Sequence, residues 1–186
     1  TVMSQLLDGL AASGGRALPM TESLLARISR KDNPQVLIGA FGQRWHVLQE
    51  VSETSDCIWV ALDRVRDPGN LGTVMRTADA VGAAGIILVG ACTDPYSVEA
   101  VRASMGAVFN VKIIICSEAE FITFGANWSG RVIGAAPSAA VDYRHADYNG
   151  SLIMLMGNEQ AGLTSPLMDM CEQLIEIPMQ GRSDSL

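Results

Sequence analysis

From residue 57 onward the chain repeats one arrangement: a short apolar run, a polar loop bearing glycine or proline, then a segment with apolar residues at helical spacing. The runs at 58–62, 85–90, 111–116, 131–136, 151–157 and 174–179 read as strands, near-continuously apolar as buried strands are. Between them, Leu71, Val74, Met75, Ala78 and Val81 mark a helix over 70–81 that stops at Gly82. Asp94-Pro95 opens another helix. Ser117-x-x-Glu120 has the form of a capping box before a further one. Thr164 or Ser165 is placed to cap the next, with Pro166 in its first turn. Strands alternating with helices predict an α/β fold: a parallel sheet with helices on both faces. In such sheets ligands sit outside the carboxyl ends of the strands. The last two strands each run into a glycine-containing polar loop, at 158–163 and 180–186, and that is where a small molecule is expected.

Residues 1–44 do not share this pattern. A helix over Val2–Ala12, a second helix capped by Thr21, and a strand over 36–41 are too few pieces to bury a core. They are expected to be part of a small α/β domain begun before residue 1, joined through a linker at 45–56 to the main domain at 57–186. With 48% hydrophobic and 18% charged residues the chain can build a sizeable core. The apolar runs fall short of a membrane span and no basic-then-apolar leader precedes them, so a cytoplasmic protein without a membrane partner is expected. Cys57, Cys92, Cys116 and Cys171 are widely spaced and lie in or beside apolar runs, which suits reduced buried thiols. With only His46 and His145 to add, no metal site is expected. The net charge of −7 argues against a general nucleic-acid coat. It leaves room for a local basic groove, because Arg64, Arg66, Arg76, Arg102, Arg144 and Arg182 fall in or beside expected loops and helix starts.

Several common sites can be set aside. Residues 157–162 have the glycine spacing of a phosphate loop, but Leu163-Thr164 stands where Lys-Ser/Thr is required. No GxGxxG follows a strand. Ser104 lacks the preceding glycine of a nucleophile elbow. What remains is the stretch 63–78, in which Asn70 at a helix start and Arg76 nearly two turns on are expected to point to one side, beside a helix N-terminus that attracts phosphate. From the residues alone, Asn70 is equally a helix cap and Arg76 a solvated helix residue.

Three segments taken together, Asn70-x-Gly72-x-x-x-Arg76, Gly157-Asn158-Glu159-x-x-Gly162-Leu163 and Ile177-Pro178-Met179-x-Gly181-x-x-x-Ser185-Leu186, resemble the three motifs of the SpoU/TrmH branch of the SPOUT methyltransferases. The resemblance covers about residues 57–186. More loosely, residues 17–41 resemble the end of that family's ribosomal-protein-like substrate-binding domain. The resemblance implies a SPOUT-type fold with a C-terminal trefoil knot, and S-adenosylmethionine-dependent methylation of a ribose 2′-hydroxyl in rRNA or tRNA by a homodimer, with rRNA favoured. A non-catalytic RNA-binding or ribosome-assembly module on the same fold is the alternative.

Carried over by position, Gly157, Ile177 and Leu186 would hold the cofactor largely through backbone groups, with Met179 and Ala135 nearby. Asn70, Arg76, Glu159 and Ser185 would form the catalytic and ribose-positioning set. Glu159 is otherwise a turn residue pairing an arginine, and Ser185 otherwise a helix cap. The family's usual account makes the arginine a base. A guanidinium with a pKa above about 12 scarcely deprotonates, so a charged Arg76 that grips phosphate and stabilises a developing alkoxide fits the chemistry better. The family pattern continues past Ser-Leu with an asparagine and an apolar helix that completes the knot and the dimer interface; with Leu186 the last residue here, either that helix follows it or the protein is shortened, and a shortened protein is not expected to transfer a methyl group.

Overall fold

The structure, a computed structural model, describes residues 2–29, 36–51, 56–137 and 139–179. The chain divides into two compact units, Thr1–Gly42 and Gln43–Leu186. The first holds α1 (Val2–Ala12) and α2 (Glu22–Ser29), neither of which buries a residue. Residues 36–41 form no strand. Among the described residues the apolar run there pairs with no strand, and Val36 and Phe41 lie open to solvent.

The second unit is built on a sheet of seven parallel strands: β1 (Ile58–Asp63), β2 (Gly85–Val89), β3 (Lys112–Cys116), β4 (Arg131–Ala135), β5 (Val141–Asp142), β6 (Leu152–Met156) and β7 (Gln173–Glu176). Their order across the sheet is β3-β2-β1-β6-β4-β7-β5. All five residues of β2 are buried, as a central strand covered on both faces requires. The helices are α3 (Pro68–Ala80), α4 (Val98–Ala103), α5 (Glu118–Gly125) and α6 (Ser165–Asp169). Side-chain alternation along the strands sends Trp59, Ala61, Ile87 and Ile153 into one core with Phe121 of α5 and Leu167 of α6. It sends Leu62, Ile86, Leu88 and Ile113 into another, with Leu71, Met75 and Ala78 of α3. Helices therefore cover both faces.

Local signals explain the element ends. Asp67, not Asn70, caps α3: its carboxylate accepts from the Asn70 backbone N–H at 2.6 Å, and Pro68 opens the helix. α4 starts at a Ser97 cap, later than Asp94-Pro95 suggests, because the Asp94 carboxylate instead accepts from the Tyr96 N–H at 2.8 Å. The Ser117–Glu120 capping box and the Thr164 cap form as expected. β7 ends at Glu176, before Pro178. Between β4 and β6, the stretch expected to be a plain polar connection contributes the two-residue β5, paired with β7 through Val141 and Ile175.

Within the segment 45–51, His46 bridges to Ile114 beside β3, Trp45 meets the Tyr96 ring edge-on at 4.9 Å, and Val51 is buried. The C-terminal trefoil knot implied by the family resemblance would involve residues 180–186, which lie outside the described residues.

Candidate active site

The chain leaves β1 towards β2 on one side, while β6 connects through α6 to β7 on the other. The boundary between β1 and β6 is thus a switch point of the sheet, where open α/β proteins form their ligand crevice. Leu62 pairs with Met156, so the loops that follow these strands, 64–67 and 157–163, leave the sheet side by side. A cleft of about 450 Å³ opens there, lined by Arg66, Asp67, Asn70, Asn158, Glu159 and Gln160. A larger hollow of about 610 Å³ lies away from these loops, between residues 47–49 and α5. It holds none of the expected site residues.

Asp67, Asn70, Asn158 and Glu159 in the cleft are each positioned by a traceable contact. Asn158 makes an Asx turn, its Oδ1 accepting from the Gln160 and Ala161 N–H groups at 3.0 Å each. The turn is closed by reciprocal backbone bonds between Asn158 and Gly162 at 3.2 and 2.9 Å. Gly162 takes φ 65°, a conformation that suits glycine. Gly157 must also lack a side chain: a Cβ there would sit 2.4 Å from the Gly162 carbonyl carbon and 2.5 Å from the Leu163 nitrogen. The folded loop carries Glu159 to Asn70, 89 residues away in sequence, whose Nδ2 donates to Glu159 Oε1 at 3.3 Å. Asn158 Nδ2 donates to the other oxygen, also at 3.3 Å. Glu159 is thus held by two amides rather than by an arginine.

The structure brings Asn70 and Glu159 together. Arg76 is exposed on α3 and is not among the residues lining the cleft. Six residues of α-helix advance about 9 Å and rotate the side chain by roughly 120° from Asn70, so the two flank the exposed face of α3 rather than share one side. The helix N-terminus expected to draw phosphate is already answered by the Asp67 carboxylate. Ser185 and Leu186 lie outside the described residues.

The residues expected to hold a cofactor come to one edge of the sheet. Ala135 pairs with Met156 on one side and Ile175 on the other. Ala135, Gly157 and Ile177 therefore lie at or just past the carboxyl ends of the adjacent strands β4, β6 and β7, with Met179 two residues on. The side chains at these strand ends are small or apolar. That suits a ligand with an apolar ring. Among the described residues no group of three or more His, Cys, Asp or Glu is placed to hold a metal ion. No helix among them is long and apolar enough to cross a membrane.

Sequence reasoning did not single out Asp63, Arg64 and Asn158 as site residues. Asp63 is 1% exposed and receives Arg64 Nε and Nη2 on its two oxygens at 2.8 Å each. This pair holds the guanidinium pKa above its ordinary value. The signal in the sequence was a charged pair directly at the end of a buried strand.

A doubly wound parallel sheet with a polar cleft at its switch point and small residues along the neighbouring strand ends defines an α/β protein built to act on a small ligand between two loops. Residues 57–186 match the model of the SpoU rRNA Methylase family, and the chain belongs to that family. It is 28% identical over 91% of its length to a 23S rRNA (uridine(2479)-2′-O)-methyltransferase of Streptomyces viridochromogenes, of which it covers 61%. It is 24% identical over 94% of its length to a 23S rRNA (guanosine(2553)-2′-O)-methyltransferase of Bacillus subtilis, of which it covers 68%. The chain thus spans about three fifths to two thirds of these curated relatives. Among solved structures it is similar to an AdoMet-bound rRNA methyltransferase from Sinorhizobium meliloti, at TM-score 0.94 and 45% identity over 99% of this chain and 71% of that one. It is also similar to the AdoMet complex of the SpoU methyltransferase AviRb from Streptomyces viridochromogenes, at TM-score 0.73 and 26% identity over 91% of this chain and 66% of that one.

Proposed function

We propose that the protein transfers a methyl group from S-adenosylmethionine to a ribose 2′-hydroxyl of RNA, ribosomal RNA in the first instance, as a cytoplasmic homodimer. The first unit serves as part of the RNA-binding domain. The observation that carries this reading is the meeting of Asn70 and Glu159 at the switch point, beside strand ends whose small residues suit a backbone-held cofactor. Membership of the SpoU family and the names of the relatives support the same chemistry.

The cofactor, when bound, supplies an electrophilic methyl group. Ala135, Gly157, Ile177, Met179 and Leu186 would line its slot. Asn70 and Glu159, locked to each other, would orient the ribose, Glu159 accepting from a sugar hydroxyl and Asn70 donating. Ser185 completes this set. Arg76, charged and further along α3, grips an RNA phosphate beside the reacting nucleotide and favours the developing alkoxide by its charge.

Calorimetric titration with S-adenosylmethionine, followed by ribose-methylation mapping of RNA from cells with and without the protein, tests the reading. Saturable binding and the loss of one or a few methylated riboses are expected. No cofactor uptake and an unchanged map would favour a non-catalytic RNA-binding or ribosome-assembly module on the same fold. Arg76→Lys tests the fork-shaped grip: activity close to wild type would refute it.

A further inference from the structure

The reaction proposed above leaves Asp63 and Arg64 without a role, although they form a buried carboxylate and its bidentate partner against the loop that forms one wall of the cleft. We infer that Arg64 is a positioning residue, a latch that fixes the 158–162 loop and so holds Glu159 against Asn70. The inference rests on the proposed methyl transfer only for its catalytic consequence.

The geometry is that of one side chain serving two ends. Asp63 sits at the end of β1 with almost no exposure, so its charge must be answered by a neighbour. Arg64 takes φ 50°, and its side chain folds back onto that carboxylate. The fork on Asp63 fixes the guanidinium plane, and Nη2 then also donates to the Gly162 carbonyl at 3.2 Å. On the other side, the Arg64 carbonyl accepts from Asn158 Nδ2 at 3.0 Å. The loop is therefore tied to residue 64 at both of its closing residues, 158 and 162. The same Asn158 amide reaches Glu159 Oε2. A continuous path of hydrogen bonds runs from a buried carboxylate on β1 to the carboxylate that faces the ribose. Lysine cannot replace this arrangement, because it has no planar fork that could grip Asp63 at two points and still aim a donor at Gly162.

Amide exchange of the whole chain reads the latch directly. Arg64→Ala should raise exchange at Gln160, Ala161 and Gly162 by about tenfold or more, the loss of a charge-assisted bond, with the β2 amides unchanged. Arg64→Lys should keep the fold through its charge and yet leave the loop exchanging several times faster than wild type. A loop as protected as wild type in either variant would overturn the proposal. Arg64→Ala strands a buried carboxylate and could unfold the chain, so Asp63→Leu/Arg64→Asn provides a neutral comparison in which the loop should be released just the same. In steady-state methyl transfer, with S-adenosylmethionine and ribosomal RNA from cells lacking the protein, Arg64→Lys should lower kcat roughly 10- to 100-fold with KM for RNA little changed. A rise in KM alone would overturn the positioning role. A wild-type protein that transfers no methyl group would count against the proposed function, and the exchange measurement would still decide the latch.

Discussion

At the scale of single residues, the absence of a side chain matters as much as the charged groups. The groups that a Cβ at position 157 would strike are main-chain atoms of 162 and 163, which no rotamer change can move. Gly157→Ala should therefore cost about 1–3 kcal/mol of stability by overpacking and weaken cofactor binding by displacing the Asx turn. A lowered denaturant midpoint with an unchanged m-value, together with loss of calorimetric heat, is the expected result. The thiols give a second prediction. Burial pushes Cys116 up to about 12 and Cys171 up to about 11, from 9.0. The folded chain holds these protons more tightly than the unfolded chain, so the stability they contribute is complete below pH 9 and lost as pH rises from there towards 12. Iodoacetamide at pH 8 should leave both thiols unmodified in the folded protein and label both after unfolding, as peptide masses will report.

At the scale of elements, Gly72 fixes how closely α3 approaches α4. A Cβ there would lie 2.4 Å from Ala103 Cβ and 2.5 Å from the Ala100 carbonyl oxygen. Helix propensity favours Gly72→Ala by about 1 kcal/mol, while forcing the helices apart costs about 1–3 kcal/mol or more. Contact with the backbone of α4 settles the sign, and a net loss is expected, whereas the exposed Thr77→Ala should stay within roughly 0.5 kcal/mol of wild type. Thermal unfolding of the two variants side by side is the check. The same elements show what was legible in the sequence. Strands such as β2 could be read because both faces are buried, which forces a continuous apolar run. The run at 36–41 misled for the complementary reason: apolar composition predicts a strand only where a partner edge exists. β5 was invisible because two residues in a polar stretch pair only after β7 is in place. Asn70 and Glu159 could be read through motifs that mark them one by one. The links from Arg64 to Asn158 and Gly162 could not, since they depend on a left-handed backbone turn at an arginine.

At the scale of the whole molecule, charge sets the terms on which RNA can approach. The unit Thr1–Gly42 carries four Lys and Arg against three Asp and Glu, a net +1, which leaves −8 on the unit that holds the cleft. Several arginines of that second unit are spent internally: Arg64 on Asp63, Arg131 on Asp147 and Glu172, and Arg144 on Asp142. Arg66 on the cleft wall and Arg76 on α3 form no ion pair among the described residues. A repulsive background with a few available cations near the cleft predicts binding through a small number of phosphates. For single-stranded RNA each phosphate contributes about −0.7 to the slope of log K against log salt, so two to three contacts give roughly −1.4 to −2.1. Anisotropy of a labelled single-stranded RNA across 50–200 mM salt should fall in that range, and Arg66→Ala should flatten the slope by about 0.7. A slope of −4 or steeper, unchanged by Arg66→Ala, would place the RNA on another surface and remove the cleft from the electrostatic account.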